Sequence, residues 1–464
     1  MTEDLHSEGA GQLSNDALAD LVIVGAGACG MVAAVAAAKR GLRVTLLDKG
    51  DEPAGNTVQS TGLIPAAGTR FQRDVGIGDD SPKLMADDIL EKNGHVSDPE
   101  ITRLLCEGSG PLVEWLADEV GCEMICFTDF LYPGHSRLRM HGPPTGYGTE
   151  LAAALERAVR KEPAIDFFIG IPASGLAWDG ERVNGIETKD GRIEAEAVLL
   201  ALNGFGGNEQ MVREHLGRQV VEALYYGSPN NTGEGIAWGV ELGAATEHMG
   251  AYQGHASVAY PDGPLVTWGV IVNGAILVNR EGVRFGNEMV GYSEFAAAVL
   301  SQPGGEAWEI FDGEVYEASQ DTRLEEVIEA GKVRRFESLD EVGSAFGLPP
   351  DTLALTVEET NRCARGEAGD PFGREGLAGG PLEPPFYGIH VRGALFHTQG
   401  GLKVDERARV LRRDGTVIPG LYAGGGTAVG VSGSGHAGYS SGNGLLAAAV
   451  LGRIAGENAA TPTF

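Results

Sequence analysis

Residues 21–49 read LVIVGAGACGMVAAVAAAKRGLRVTLLDK. Leu21 to Val24 is a short β-branched apolar run without alternation, the pattern of a parallel strand covered on both faces. Gly25, Gly27 and Gly30 follow in GxGxxG spacing. Without a Cβ, the chain can turn tightly there and bring backbone N–H groups against a pyrophosphate. The Ala-rich run from Met31 to Arg40 is expected as a helix, with its positive N-terminal end facing that phosphate. Gly41 stops the helix and Arg43 to Leu47 form a second strand. Asp48 ends that strand 18 residues past Gly30, where a carboxylate accepts hydrogen bonds from an adenosine ribose. Strand, glycines, helix, strand and acid agree on a dinucleotide site in an α/β layer.

The chain has 464 residues, of which 42% are hydrophobic, enough for two domains with real cores. Its 71 glycines follow no collagen or linker period and imply many tight turns. Lys and Arg number 35 against 65 Asp and Glu, a formal charge of −30. That balance argues against nucleic acid and anionic membrane surfaces as partners, while a local cluster of Arg and His can still bind an anion. Five cysteines suit a reducing compartment, and their spacing offers no zinc site. Residues 1–19 are polar and acidic, expected to be a disordered tail rather than a signal or anchor. No stretch has transmembrane length without charges, so a cytoplasmic location is expected.

Beyond the first βαβ unit, Pro82 to Trp115 carries two amphipathic helices and Gly148 to Arg160 a third. Short strands are expected at Ala164–Gly170, Gly175–Trp178, Val183–Thr188 and Glu196–Leu202, with Asp179-Gly180 as a hairpin turn. From Asn230 to Pro350 the character changes: strand-like Val270–Asn279 is mixed with acidic helices at Arg323–Ala330 and Leu339–Ala345. Asn361 to Pro385 is Gly/Pro-rich and reads as a return linker. Strands resume at Tyr387, and a helix is expected over Gly442–Gly456. The expected division is thus a tail (1–19), a nucleotide-binding domain (20–229), an inserted domain (230–350), then a linker and the rest of the nucleotide-binding domain (351–464).

Five further segments accompany the first loop: GNTVQSTGLIPAAGT at 55–69, LLALNGFGGN at 199–208, VNREGVRFGNE at 278–288, FHTQGGLKVD at 396–405, and IPGLYAGGGTAVGVSG running into GYSSGNGLLAAAVLGRIAG at 438–456. In this order they resemble the flavoprotein family of fumarate reductases, succinate dehydrogenases, 3-ketosteroid dehydrogenases and tricarballylate dehydrogenases. The resemblance implies a Rossmann-like FAD-binding domain split by an inserted α+β capping domain that closes substrate against the flavin. It places FAD on the loop residues Gly25, Gly27, Ala28, Cys29 and Gly30, and on Asp48 and Lys49 after the second strand. It adds Asn56, Thr57, Ser60, Thr61 and Gly62 in the small-residue loop, then Asn203 and Gly204, then Gly424 and Gly425. Ser441, Gly442, Asn443 and Leu445, opening the last helix, would meet the pyrimidine edge of the flavin. The early loop has no histidine for a covalent link, so the FAD is expected to be non-covalent.

The same resemblance nominates Arg284, His255, His397 and Tyr439 for the substrate. Arg284 corresponds to an arginine thought to deliver a proton in fumarate reductases; it could equally neutralise a carboxylate or pair with Glu288. His255 and His397 match substrate-contacting histidines, although a lone histidine is more often a satisfied polar residue. Dicarboxylate reductases carry an arginine before the last helix, and this chain has Tyr439 instead. Such a tyrosine is similar to that of ketosteroid enzymes, where it polarises a ketone; packing beneath the flavin is the alternative. The expectation is therefore an FAD-dependent oxidoreductase that desaturates or reduces a C–C bond α,β to a carbonyl, most simply in a cyclic ketone or keto acid. A carboxylate-directed reductase or dehydrogenase of fumarate or tricarballylate type is the alternative, and a flavin carrier without C–C chemistry is disfavoured by the retained RFGNE and HTQGG segments. Tyr132, Tyr147, Tyr252 and Tyr292 are all candidates for the base. With no haem or iron–sulfur motif, electrons must pass to or from an external partner whose identity the sequence leaves open.

Overall fold

The apolar run that follows the tail is a strand because nothing along it prefers water: in the computed structural model β1 (Ala19–Val24) is buried at all but one position. The structure describes residues 18–52, 55–320, 323–375 and 380–460, so positions 1–17 of the expected tail lie outside it. After β1 come α1 (Ala28–Lys39), β2 (Val44–Leu47), β3 (Ile165–Phe168), β4 (Gly191–Leu200) and β5 (Tyr252–Ala259). Then follow β6 (Ile276–Val278), α2 (Tyr292–Leu300), β7 (Glu306–Asp312), β8 (Phe386–Thr398), β9 (Val417–Ala423) and α3 (Asn443–Asn458).

The first sheet has the order Arg409–Leu411, β9, β4, β1, β2, β3, and its core pairings are parallel. Register sets Leu21 opposite Val44 and Val24 opposite Leu200, so the strands end together where the glycine loop begins. Every residue of α1 from Ala28 to Ala38 is buried, which explains its small side chains. α3 lies directly on it: a Cβ on Gly452 would stand 2.4 Å from the Cys29 carbonyl oxygen, and one on Gly456 2.4 Å from that of Ala33.

The second sheet is built on the 13-residue strand β8. It pairs with β5, β7, Arg334–Phe336 and Leu224–Tyr225, while β6 adds to β7. Its strands run from Leu224 to Thr398, beyond the 230 and 350 limits expected from composition, because β8 returns through this layer before the chain rejoins the first sheet. Val270–Asn279, expected as strand, is instead a helical turn (Gly269–Val272) followed by β6. Gly274, with φ +134°, changes the chain's direction between them. The expected linker begins inside a helix, Pro350–Ala364, whose buried Leu353, Thr356, Val357 and Thr360 recur at helical spacing; its residues 376–379 lie outside the described residues. Among the described residues no helix is long and apolar enough to cross a membrane.

Candidate active site

The glycine loop is shaped by close backbone approach. A Cβ on Gly25, which has φ +108°, would lie 2.3 Å from the Ala201 carbonyl oxygen, and one on Gly30 would lie 1.9 Å from that of Gly25. No side chain caps α1 at Gly27; the Ala28 N–H donates to the Thr57 hydroxyl at 3.0 Å. The Asp48 carboxylate accepts from the Ala26 N–H at 2.7 Å and the Gly50 N–H at 2.8 Å, which holds it beside the loop. Lys49 pairs with Glu234 at 2.6 Å. Asn56 accepts from the Ser228 N–H and the Asn231 amide, each at 2.8 Å. The Ser60 hydroxyl donates to the Thr57 carbonyl at 2.7 Å and accepts from the Gly62 N–H at 3.0 Å.

From this loop a cavity of about 480 Å³ runs between the two layers to the start of α3. Gly25, Gly27, Asp48 and Thr57 line one end; His255, Tyr292, His397 and Tyr439 line the other. Ala28, Cys29, Lys49, Asn56, Ser60 and Thr61 also reach it, as do Asn203, Gly425, Gly442 and Leu445 from later in the chain. Gly30, Gly62, Gly204, Gly424, Ser441 and Asn443 do not line it. A Cβ on Gly424 would meet the Cys29 sulfur at 2.6 Å. Cys29 is a buried filler whose thiol burial pushes up to about 12. Asn443, at the first position of α3, is fully buried with both side-chain polar atoms unpartnered. A buried amide with no partner calls for one. The elongated cavity, the glycine loop at one end of it and the Asp48 carboxylate beside that loop together fit FAD.

At the α3 end the wall is aromatic. The His255 ring stacks on Tyr292 at 4.8 Å and on Phe396 at 5.3 Å, with Trp268 edge-on at 6.0 Å. His397 meets Tyr439 edge-on at 5.8 Å. Burial pushes His255 down to about 3 and His397 down to about 4, so both are neutral at pH 7. His255 Nδ1 accepts from the Ser257 N–H at 3.1 Å, which leaves the ring proton on Nε2. Burial pushes Tyr292 up to about 12. Burial also drives Tyr439 well above its ordinary value, against the backbone N–H groups of Gly444 and Gly442.

The structure does not bring Arg284 to the cavity. Its guanidinium is buried in an ion cluster, 2.8 Å from Glu288 and also paired with Asp370, while Arg374 reaches Glu288 at 3.2 Å. The expected pair with Glu288 is thus present. Tyr292, four residues past Glu288 and opening α2, points into the site instead. Among the other tyrosines, Tyr132 lines the cavity and donates to Asp129 at 3.3 Å. Tyr147 is exposed and donates to Glu326 at 2.8 Å. Tyr252 is buried and does not line the cavity. Sequence reasoning missed Trp268, Phe396 and the Ser228–Asn231 clamp on Asn56, which come from separate segments with no local signature.

A model described as an FAD binding domain matches residues 20–445. A "Fumarate reductase (cytochrome)" of Shewanella frigidimarina is 32% identical over 451 residues, covering 95% of this chain and 77% of that protein. The solved open conformation of a flavocytochrome c3 fumarate reductase superposes with a TM-score of 0.81 at 28% identity, over 96% of this chain and 78% of that one. The 3-ketosteroid-Δ4-(5α)-dehydrogenase from Rhodococcus jostii RHA1, solved in complex with 4-androstene-3,17-dione, gives 0.75 at 27% identity, over 97% and 98%. The chain belongs to the FAD binding domain family: it is an FAD-dependent oxidoreductase acting on CH–CH bonds, with a Rossmann-like domain and a capping domain.

Proposed function

We propose that this flavoenzyme desaturates, or in the reverse direction reduces, the C–C bond α,β to the carbonyl of a cyclic ketone or keto acid. The observation that carries this reading is the pair Tyr292, opening α2, and Tyr439, in the loop before α3, in a wall that is otherwise aromatic and neutral. Bound there, non-covalently, FAD supplies a two-electron hydride acceptor. Tyr439, backed by the N–H groups of Gly442 and Gly444, donates to the substrate carbonyl oxygen and makes the adjacent C–H more acidic. Tyr292, in its ionised form, removes that proton. As the proton leaves the α-carbon, hydride leaves the β-carbon and the double bond forms between them. Neutral His255, stacked on Tyr292, fixes the ring of the base and keeps water from it. Electrons then pass to a diffusible acceptor or a partner protein.

Carboxylate-directed reduction of the fumarate type has the 32% identity to a named fumarate reductase in its favour. The cavity is less suited to it. Its cations Lys49 and Arg323 are each paired with a carboxylate, at 2.6 Å and 2.8 Å, and both histidines at the α3 end are neutral. Anaerobic mixing of the oxidised enzyme with saturated cyclic ketones, among them 4-oxocyclohexanecarboxylate and a 3-ketosteroid, tests the proposal. Bleaching of the visible flavin band by one of them is the expected result. An intact flavin that no ketone bleaches, but that fumarate reoxidises after chemical reduction, would overturn it.

A further inference from the structure

A second cavity of about 360 Å³ lies in the capping layer and shares no lining residue with the first. Trp308 and Glu309 alternate along β7, so they face opposite sides of the second sheet. Glu309 meets Ser257 on one side; Trp308 lines the second cavity on the other. The geometry points to an anion-binding site here for a phosphate group, carried by a nucleotide or free in solution.

Three cationic side chains line the cavity in a chain of net charge −30: Arg280, Lys332 and Arg334. Arg280 is paired with Glu306 at 2.9 Å. Lys332 and Arg334 have no carboxylate partner among the described residues, although their neighbour Arg335 is paired with Glu337. Lys332 Nζ donates to the Pro261 carbonyl at 2.5 Å, and Arg334 to that of Ala345 at 3.3 Å. These carbonyls leave both positive charges uncompensated. The Arg334 guanidinium lies 5.1 Å over the Phe346 ring, which holds it at the cavity wall.

Trp308 supplies a further donor. Its side chain is 2% exposed, and its indole Nε1 has no hydrogen-bond partner. Its ring stacks on His390 at 4.7 Å with 8° between planes. Glu306, on the same strand, is engaged by both Arg280 and His390, which reduces its repulsion of an incoming anion. Two unpaired cations and an unsatisfied N–H match the acceptor oxygens of a phosphate. Tyr260 and Phe346, also in the wall, offer aromatic faces to a base attached to it.

Titration calorimetry on the full FAD-loaded chain tests this, with inorganic phosphate in one arm and AMP in the other. Binding in either arm is expected to weaken at least about tenfold in the Lys332→Gln/Arg334→Gln double variant, as charge-assisted contacts are lost. Flavin content and flavin reduction by substrate should be unchanged. Trp308→Phe, which keeps the ring and removes the N–H, should weaken binding less. AMP binding more tightly than phosphate identifies a nucleotide as the ligand; equal affinities identify phosphate. No heat from either at millimolar concentration, or undiminished binding in the double variant, overturns the site. Because flavin reduction is read separately, failure here is distinguishable from failure of the ketone proposal.

Discussion

The rings of Tyr292 and Tyr439 stand 6.2 Å apart at 60°, one on the first turn of α2 in the capping layer and the other in the loop before α3. Two tyrosines separated by more than a hundred residues therefore meet across the cavity. Each comes from a different layer, so the pair forms where the capping layer meets the nucleotide-binding layer.

Tyr292→Phe removes the proposed base and little else, since the ring still stacks on His255. Turnover should fall about 10²–10⁴-fold, the range for loss of a positioned acid or base, with FAD retained. In the wild type, kcat/KM should climb with pH through the alkaline range, because Tyr292 ionises only at about 12. Rapid-mixing flavin reduction across pH checks both; a variant with wild-type turnover removes Tyr292 from the chemistry.

Arg284→Gln should act on stability rather than on chemistry. It leaves Glu288 and Asp370 buried with one guanidinium fewer, a loss of about 3–5 kcal/mol for breaking a buried pair from one side. Thermal unfolding should show a large fall in Tm. Reduction rates per bound flavin should stay near wild type, whereas a selective loss of turnover in a stable protein would restore Arg284 to the mechanism.

Gly30→Ala should abolish flavin binding. The added methyl would press on the Gly25 carbonyl oxygen at 1.9 Å, and only displacement of the phosphate loop can relieve that. The purified variant should be colourless, with a flavin-to-protein ratio near zero and a far-UV spectrum close to wild type.

Glu309 predicts a pH dependence of stability. Burial raises its carboxyl from 4.5 to about 7, with the Ser257 hydroxyl opposing. A raised folded-state pKa contributes stability that is full below 4.5 and lost as pH rises through 7. Glu309→Gln mimics the neutral acid, so the variant should gain on wild type by about 1–3 kcal/mol between pH 5 and pH 8. Chemical denaturation at the two pH values measures it; a constant difference would mean Glu309 titrates normally.

Local patterns carried the nucleotide-binding layer almost whole. Leu21 to Asp48 needed only period, glycine spacing and one acid, because a βαβ unit closes within about thirty residues. The last helix was legible for the same reason, its Gly-rich start and apolar run being adjacent in the chain. The capping layer was harder. β8 pairs with four separate strands, and no local signal says that Phe386–Thr398 returns to this sheet or that Gly274 splits Val270–Asn279.

The site divides in the same way. The sequence alone determined the dinucleotide loop, the family and the presence of Tyr439 where carboxylate reductases have arginine, since each is a short contiguous pattern. Only the tertiary structure decided that Arg284 is enclosed by Glu288, Asp370 and Arg374, and that Tyr292 rather than Tyr147 or Tyr252 reaches the cavity. Burial and partner choice decide whether an ionisable side chain acts or merely packs, and both come from chain segments far apart in sequence, brought together when the two layers close.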